Sequence, residues 1–154
     1  MVDLPLMDVP VGAEETIFRL QLHGCTPILA HPERNRRLAD DLALLRDLVD
    51  RGVELQVNSG SLLGTYGRTA RRVATALLRE GLARLMASDA HRAVERHPDL
   101  SEAWKKVRGL LGEGAADVLL RENPRAVLYG EVLQPLPLPG STRRSLVRRR
   151  RSGG

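Results

Sequence analysis

Residues 40–60 read DDLALLRDLVDRGVELQVNSG, and their order decides the fold. Leu42, Leu45 and Val49, with Leu38 just before them, recur at i, i+4, i+7 and i+11, the stripe of an amphipathic helix. Gly52 follows where a helix needs a left-handed residue to stop. The short run ELQV then reads as a strand covered on both faces, and it ends in the polar residues NSG. The same order occurs before and after this stretch. AEETIFRLQLHG (13–24) leads to CTPILAHPER, and TARRVATALLREG (69–81) leads to LARLMASDAHR. The three stop glycines, Gly24, Gly52 and Gly81, are 28 and 29 residues apart. In the third helix Ala70, Val73 and Leu77 form the stripe. Helix–strand units of this length build a parallel α/β sheet or barrel. MVDLPL, at the start, reads as an earlier strand. In such folds the site forms at the C-terminal ends of the strands, which is where HPER, NSG and SDAHR fall.

The 154 residues, 42% hydrophobic and 28% charged, correspond to one domain with a real core. No apolar run approaches a membrane span. The first residues, MVDLPLMDVPVG, lack a basic leader, so no signal peptide is expected. One cysteine, Cys25, excludes an internal disulfide and fits a reducing compartment, so a cytoplasmic location is expected. Cys25 opens a strand segment and reads as a small core residue. The net charge of +5 belongs to the tail STRRSLVRRRRSGG (141–154), which holds six of the 24 basic residues and no acid. The remainder has 18 basic against 19 acidic residues, which argues against a specific nucleic-acid partner. The expected organisation is a domain over 1–133, a proline-rich linker over 134–140 and a disordered arginine-rich tail over 141–154 that contacts anionic surfaces.

Beyond the third strand, HPDLSEAWKKVRGLLGEG reads as a helix with Asp99 as N-cap and Glu102 completing a capping box. Leu100, Ala103, Trp104, Val107 and Leu111 form its buried stripe. AADVLLREN reads as a second helix, stopped by Pro124.

His31, Asp89 and His91 are nitrogen and oxygen donors of the kind that bind Mn, Fe or Zn, and they lie at strand ends in sister repeats. Arg34, Arg92 and Arg96 lie within a few residues of them and suit an anionic substrate, most simply phosphate. Arg36 and Arg37 read as surface charges, and His23 and His97 have nothing nearby to promote them. Asp89 also suits a capped turn, the structural alternative for that position.

TPILAHPERN, LQVNSGSLLG, MASDAHR with R-x-P at Arg96–Pro98, and ENPRAVL occur in the order found in a known family. Together they resemble the C-terminal half of the bacterial PHP-type protein-tyrosine phosphatases, the CpsB/CapC group of the polymerase-and-histidinol-phosphatase superfamily. The resemblance covers about residues 2–133. It implies part of a distorted βα barrel with three or four parallel strands and covering helices. It also implies a divalent metal cluster, usually manganese, and removal of phosphate from tyrosines of kinases that control capsule and exopolysaccharide export. Asp3, His31, Asp89 and His91 match the family's metal ligands. Arg34 and Arg96 match its phosphate-contacting arginines, with Arg92 beside them as a further substrate-binding candidate.

The family opens with a strand carrying H-x-H, then a histidine and a glutamate, and this sequence has none of them ahead of Asp3. The expectation is therefore that the chain alone hydrolyses phosphotyrosine poorly and that its open sheet self-associates. Two other readings accompany it: a different PHP phosphoesterase, such as one acting on histidinol phosphate, or a non-catalytic remnant that binds through its basic tail. Cysteine-dependent phosphatase chemistry is excluded, because the position six after Cys25 is His31 rather than arginine.

Overall fold

The computed structural model describes residues 1–90 and 98–140. Each of the three repeats places helix ahead of strand, as expected. Helix α1 (Ala13–Leu22) precedes strand β1 (Ile28–Ala30). Helices α2 (Arg36–Asp40) and α3 (Leu42–Asp50) precede β2 (Glu54–Asn58), and α4 (Ser59–Leu63) and α5 (Gly67–Arg79) precede β3 (Ala83–Ala87). The strands form one parallel sheet in the order β1-β2-β3. Gly24, Gly52 and Gly81 have φ of 76°, 88° and 68°, the left-handed conformation that reverses the chain from helix into strand. The expected second helix is broken at Asp41, whose side chain accepts from Leu44 N–H at 3.1 Å and so caps α3.

All five residues of β2 are buried, as a central strand sandwiched by helices requires. Leu29, Leu45, Val53, Leu55, Val57, Val73, Leu77 and Leu78 are at most 1% exposed and form the middle of the core. At the start of the chain, Val2 makes a single parallel bridge to Leu29, so the expected fourth strand is reduced to one residue. That bridge is enough to fix where Asp3 lies, because Val2 exchanges backbone bonds with Ile28 and Ala30 at 2.7 and 2.8 Å.

Four expectations are corrected. Pro124 does not stop a helix. Helix α7 (Glu113–Asp117) widens into a π turn over Val118–Glu122 and continues as α8 (Asn123–Tyr129), with Pro124 in the first turn of α8. A proline there has no N–H to leave unpaired and its ring meets the preceding turn, which the wider π register accommodates. Asp99 is not the N-cap of α6 (Ser101–Leu111). It lies one residue earlier and accepts from Ser101 N–H at 2.8 Å. Cys25 is exposed, because the strand begins only at Ile28. Residues 133–138 are packed rather than a free linker: Leu133 and Leu136 are buried and Leu138 lies against the core. A proline-rich extended chain repeats every three residues, so Leu133 and Leu136 share one face while Pro135 and Pro137 remain exposed. Asn123 holds this strap, donating to the carbonyls of Arg84 and Gln134 and accepting from Gln134 N–H at 2.8 Å. The arginine-rich tail, 141–154, lies outside the described residues.

Candidate active site

The two residues at which a non-glycine backbone turns left-handed, among those described, are His31 (φ 34°) and Asp89 (φ 54°). Both are metal-ligand candidates at strand ends: His31 directly follows β1, and Asp89 lies two residues beyond the end of β3. Such backbone is costly outside glycine and persists where the surroundings over-determine it, which is common at functional sites. His31 N–H donates to Gln56 O at 2.8 Å, tying the turn to β2. The His31 side chain is 10% exposed, and its Nε2 lies 3.3 Å from Asp3 Oδ1. Asp3 reaches it because the Val2 bridge runs parallel to β1.

Arg34 leaves the 3-10 turn Pro32–Arg34 and crosses to the other side of the rim. Its Nη1 is 3.2 Å from Asp89 Oδ2, with both side chains mostly buried. Asn58, fully buried at the end of β2, donates from Nδ2 to the same Asp89 oxygen at 3.2 Å. The Arg34 guanidinium also stacks on the Tyr66 ring, 4.1 Å from its centroid.

Beneath these groups lies Glu33, 1% exposed. Its Oε1 accepts from Asn58 N–H at 2.9 Å and Ser61 Oγ at 2.6 Å, while Oε2 has no partner. Burial pushes its carboxyl above the ordinary 4.5, against the opposing pull of these hydrogen bonds and of Arg34. Glu33, Asn58, Ser61 and Tyr66 were not among the residues singled out from sequence. HPER and NSG marked the right places, but the contacts join positions 25 to 55 residues apart, which no periodicity reports.

His31 and Asp3 thus form one nitrogen–oxygen pair, and Asp89, Asn58 and Arg34 form a second cluster at the same rim. The donor types suit a divalent metal. Among the described residues, however, no three His, Cys, Asp or Glu side chains converge closely enough to hold an ion. His91, Arg92 and Arg96 lie outside the described residues. Arg36, Arg37 and His23 are exposed. A cleft lined by Leu6, Glu33, Arg34, Arg36, Tyr66 and Thr69 opens beside the second cluster.

The fold is a parallel α/β sheet whose polar side chains gather at the C-terminal strand ends, the arrangement of α/β enzymes that work at that rim. Residues 7–129 match the family described as capsular polysaccharide synthesis, CpsB/CapC, and the chain belongs to that family. It is 33% identical over 146 residues to the tyrosine-protein phosphatase YwqE of Bacillus subtilis, covering 95% of this chain and 57% of YwqE. It is 30% identical over 110 residues to the tyrosine-protein phosphatase CpsB of Streptococcus agalactiae, covering 68% of this chain and 45% of CpsB. Among solved structures it superimposes with a TM-score of 0.81, at 32% identity, on a chain from the work on YwqE of B. subtilis and CpsB of Streptococcus pneumoniae, described there as unique metal-dependent tyrosine phosphatases. That match covers 93% of this chain and 57% of the other. The chain therefore spans about half the length of the relatives it matches. Among the described residues no helix is long and apolar enough to cross a membrane.

Proposed function

We propose that this chain carries part of the active site of a metal-dependent protein-tyrosine phosphatase of capsule or exopolysaccharide synthesis. The observation that carries the reading is the coincidence of strain with chemistry: His31 and Asp89 are both held left-handed at the ends of parallel strands. Asp3, His31, Asp89 and His91 would hold a divalent cation, manganese for preference and iron or zinc by the same donor logic. Such a cation supplies a water activated near neutral pH. Arg34 presents a guanidinium to the phosphate oxygens, with Arg92 and Arg96 as further cations for the same charge. Asn58 and Glu33 fix the strand ends from which these groups project. Tyrosinate, with a pKa of about 10, leaves with little help from an acid. The substrate class is a phosphotyrosine protein, most directly a tyrosine kinase of polysaccharide export, and the setting is cytoplasmic.

The test is a chimera in which this chain replaces the matching part of B. subtilis YwqE. Its hydrolysis of a phosphotyrosine peptide is assayed with Mn²⁺. We expect manganese-dependent turnover that Asp89→Asn lowers about 10²- to 10³-fold, the scale for removal of one precisely placed polar group. Asparagine tolerates left-handed backbone, so the variant keeps its fold. A folded, manganese-loaded chimera whose turnover is indifferent to Asp89→Asn and His31→Ala would overturn the proposal.

A further inference from the structure

We propose that Tyr66 is a positioning residue for Arg34, and that its ring is what holds the guanidinium ready for a phosphate. The inference rests on the reading of Arg34 as a phosphate contact. Arginine has a long side chain that loses much rotamer freedom when fixed. Among the described residues, two groups fix this one, the Asp89 carboxylate at 3.2 Å and the Tyr66 ring at 4.1 Å. They hold it in different ways. Asp89 occupies an N–H at the edge of the guanidinium, and the Asp89 oxygen is shared with Asn58 Nδ2. The ring takes the flat face and leaves the in-plane donors available, and these donors are the ones that meet a phosphate two at a time. A stack is thus the one restraint here that does not compete with the ligand.

The ring is itself seated. A Cβ at Gly60 would lie 2.7 Å from Tyr66 Cε2 and 3.2 Å from Cζ, so the ring edge rests on the backbone of α4. Gly60 N–H donates to Asn58 Oδ1 at 2.9 Å, and Thr65 N–H returns to Gly60 O at 2.8 Å. The ring's seat is therefore tied to the end of β2, the same strand end that holds Asp89. Gly60→Ala has a predictable sign on helix propensity alone, favouring the folded chain. If it instead frees Arg34, the seat is responsible.

The experiment uses the full chain labelled with ¹⁵N. Relaxation and hydrogen exchange of the Arg34 Nε–H report order, and titration with inorganic phosphate reports affinity. Circular dichroism melting checks that each variant is folded. We expect Tyr66→Ala and Gly60→Ala to mobilise the Arg34 Nε–H and weaken phosphate binding about 3- to 30-fold, the range of a partly desolvated cation–π contact. Tyr66→Phe, which keeps the ring, should match the wild type in both. An Arg34 as ordered in Tyr66→Ala as in the wild type, or a Tyr66→Phe variant as impaired as Tyr66→Ala, would overturn the inference. Phosphate binding that Arg34→Ala leaves unchanged, or that the wild type lacks, counts against Arg34 as the phosphate contact, and the relaxation measurement still decides the role of Tyr66.

Discussion

Two glutamates are buried at opposite ends of this sheet, and they are held by different chemistry. Glu33, at the C-terminal rim, accepts from a backbone N–H and a serine hydroxyl. Glu54, at the first position of β2, meets Arg84 Nη2 at 2.5 Å, and the Arg84 Nη1 goes on to the carbonyl of Leu133 at 3.3 Å. In each, one carboxylate oxygen is buried without a partner, and burial raises both carboxyls above the ordinary value, with Arg84 opposing the rise at Glu54. The base is a charge pair that ties β2, β3 and the C-terminal strap together. The strand pairing passes from Leu55↔Ala83 to Gln56↔Leu85, so Arg84 is skipped in the register and its side chain is available for this task. The rim keeps its cation, Arg34, for Asp89 and Tyr66, and leaves Glu33 to neutral donors. The same residue type thus closes the fold at one end and shapes a site at the other.

The difference is broken most severely from the base. Arg84→Ala leaves Glu54 without its cation and releases Leu133 O; the pair is part-buried, with side chains 25% and 10% exposed, so the loss should cost about 3 kcal/mol, the lower end of the range for buried pairs. We expect the midpoint of urea unfolding to fall accordingly. Arg34→Ala should be milder, because Asn58 still donates to Asp89 and the site rather than the core bears the loss. Equal destabilisation by the two variants would mean that the rim pair is as structural as the base pair.

The strap offers a second comparison, between Leu136, 7% exposed, and Val132, 90% exposed, four residues apart on the same extended chain. Leu136→Ala should cost about 2–3 kcal/mol by lost burial and cavity formation, and Val132→Ala less than about 0.5 kcal/mol. Matching effects in thermal unfolding would show the strap to be loosely attached.

These contrasts mark how far the sequence could be read. Helix stripes ending at Gly24, Gly52 and Gly81 were legible because a 3.6-residue period followed by a left-handed stop has few other solutions. His31 and Asp89 were legible as strand-end donors in repeated units. The strap was misread because QPLPLPG has the composition of a linker, and its three-residue period only matters once a core exists to receive Leu136. Pro124 was misread because a π turn leaves no periodic signature. Glu33 and Asn58 stand in quoted motifs, yet the bonds between them arise from strand pairing across 25 residues, and local pattern carries no information on such pairs.

The smallest effect concerns a single proton. Burial raises the Glu33 carboxyl, so over the window that opens at 4.5 the folded chain holds a proton that the unfolded chain releases. The stabilisation from that proton is complete below 4.5 and declines as pH rises through the raised folded value. Glu33→Gln keeps the acceptor for Asn58 N–H and Ser61 Oγ and puts an NH₂ where the protonated acid has its O–H, but it does not titrate. The variant and the wild type should therefore melt at nearly the same temperature at pH 4. With rising pH the wild type should fall progressively behind, and the gap should level off once Glu33 is ionised in both states. The contrast with Glu54 sharpens here: Glu54→Gln weakens the charge pair with Arg84, so any gain from removing a buried charge is offset by the loss of that attraction, and the pH-dependent gap should be smaller. A Glu33→Gln difference that stays constant from pH 4 to 8 would mean that Glu33 ionises alike in the folded and unfolded chains, and that Asn58 and Ser61 suffice to hold a full charge at the rim.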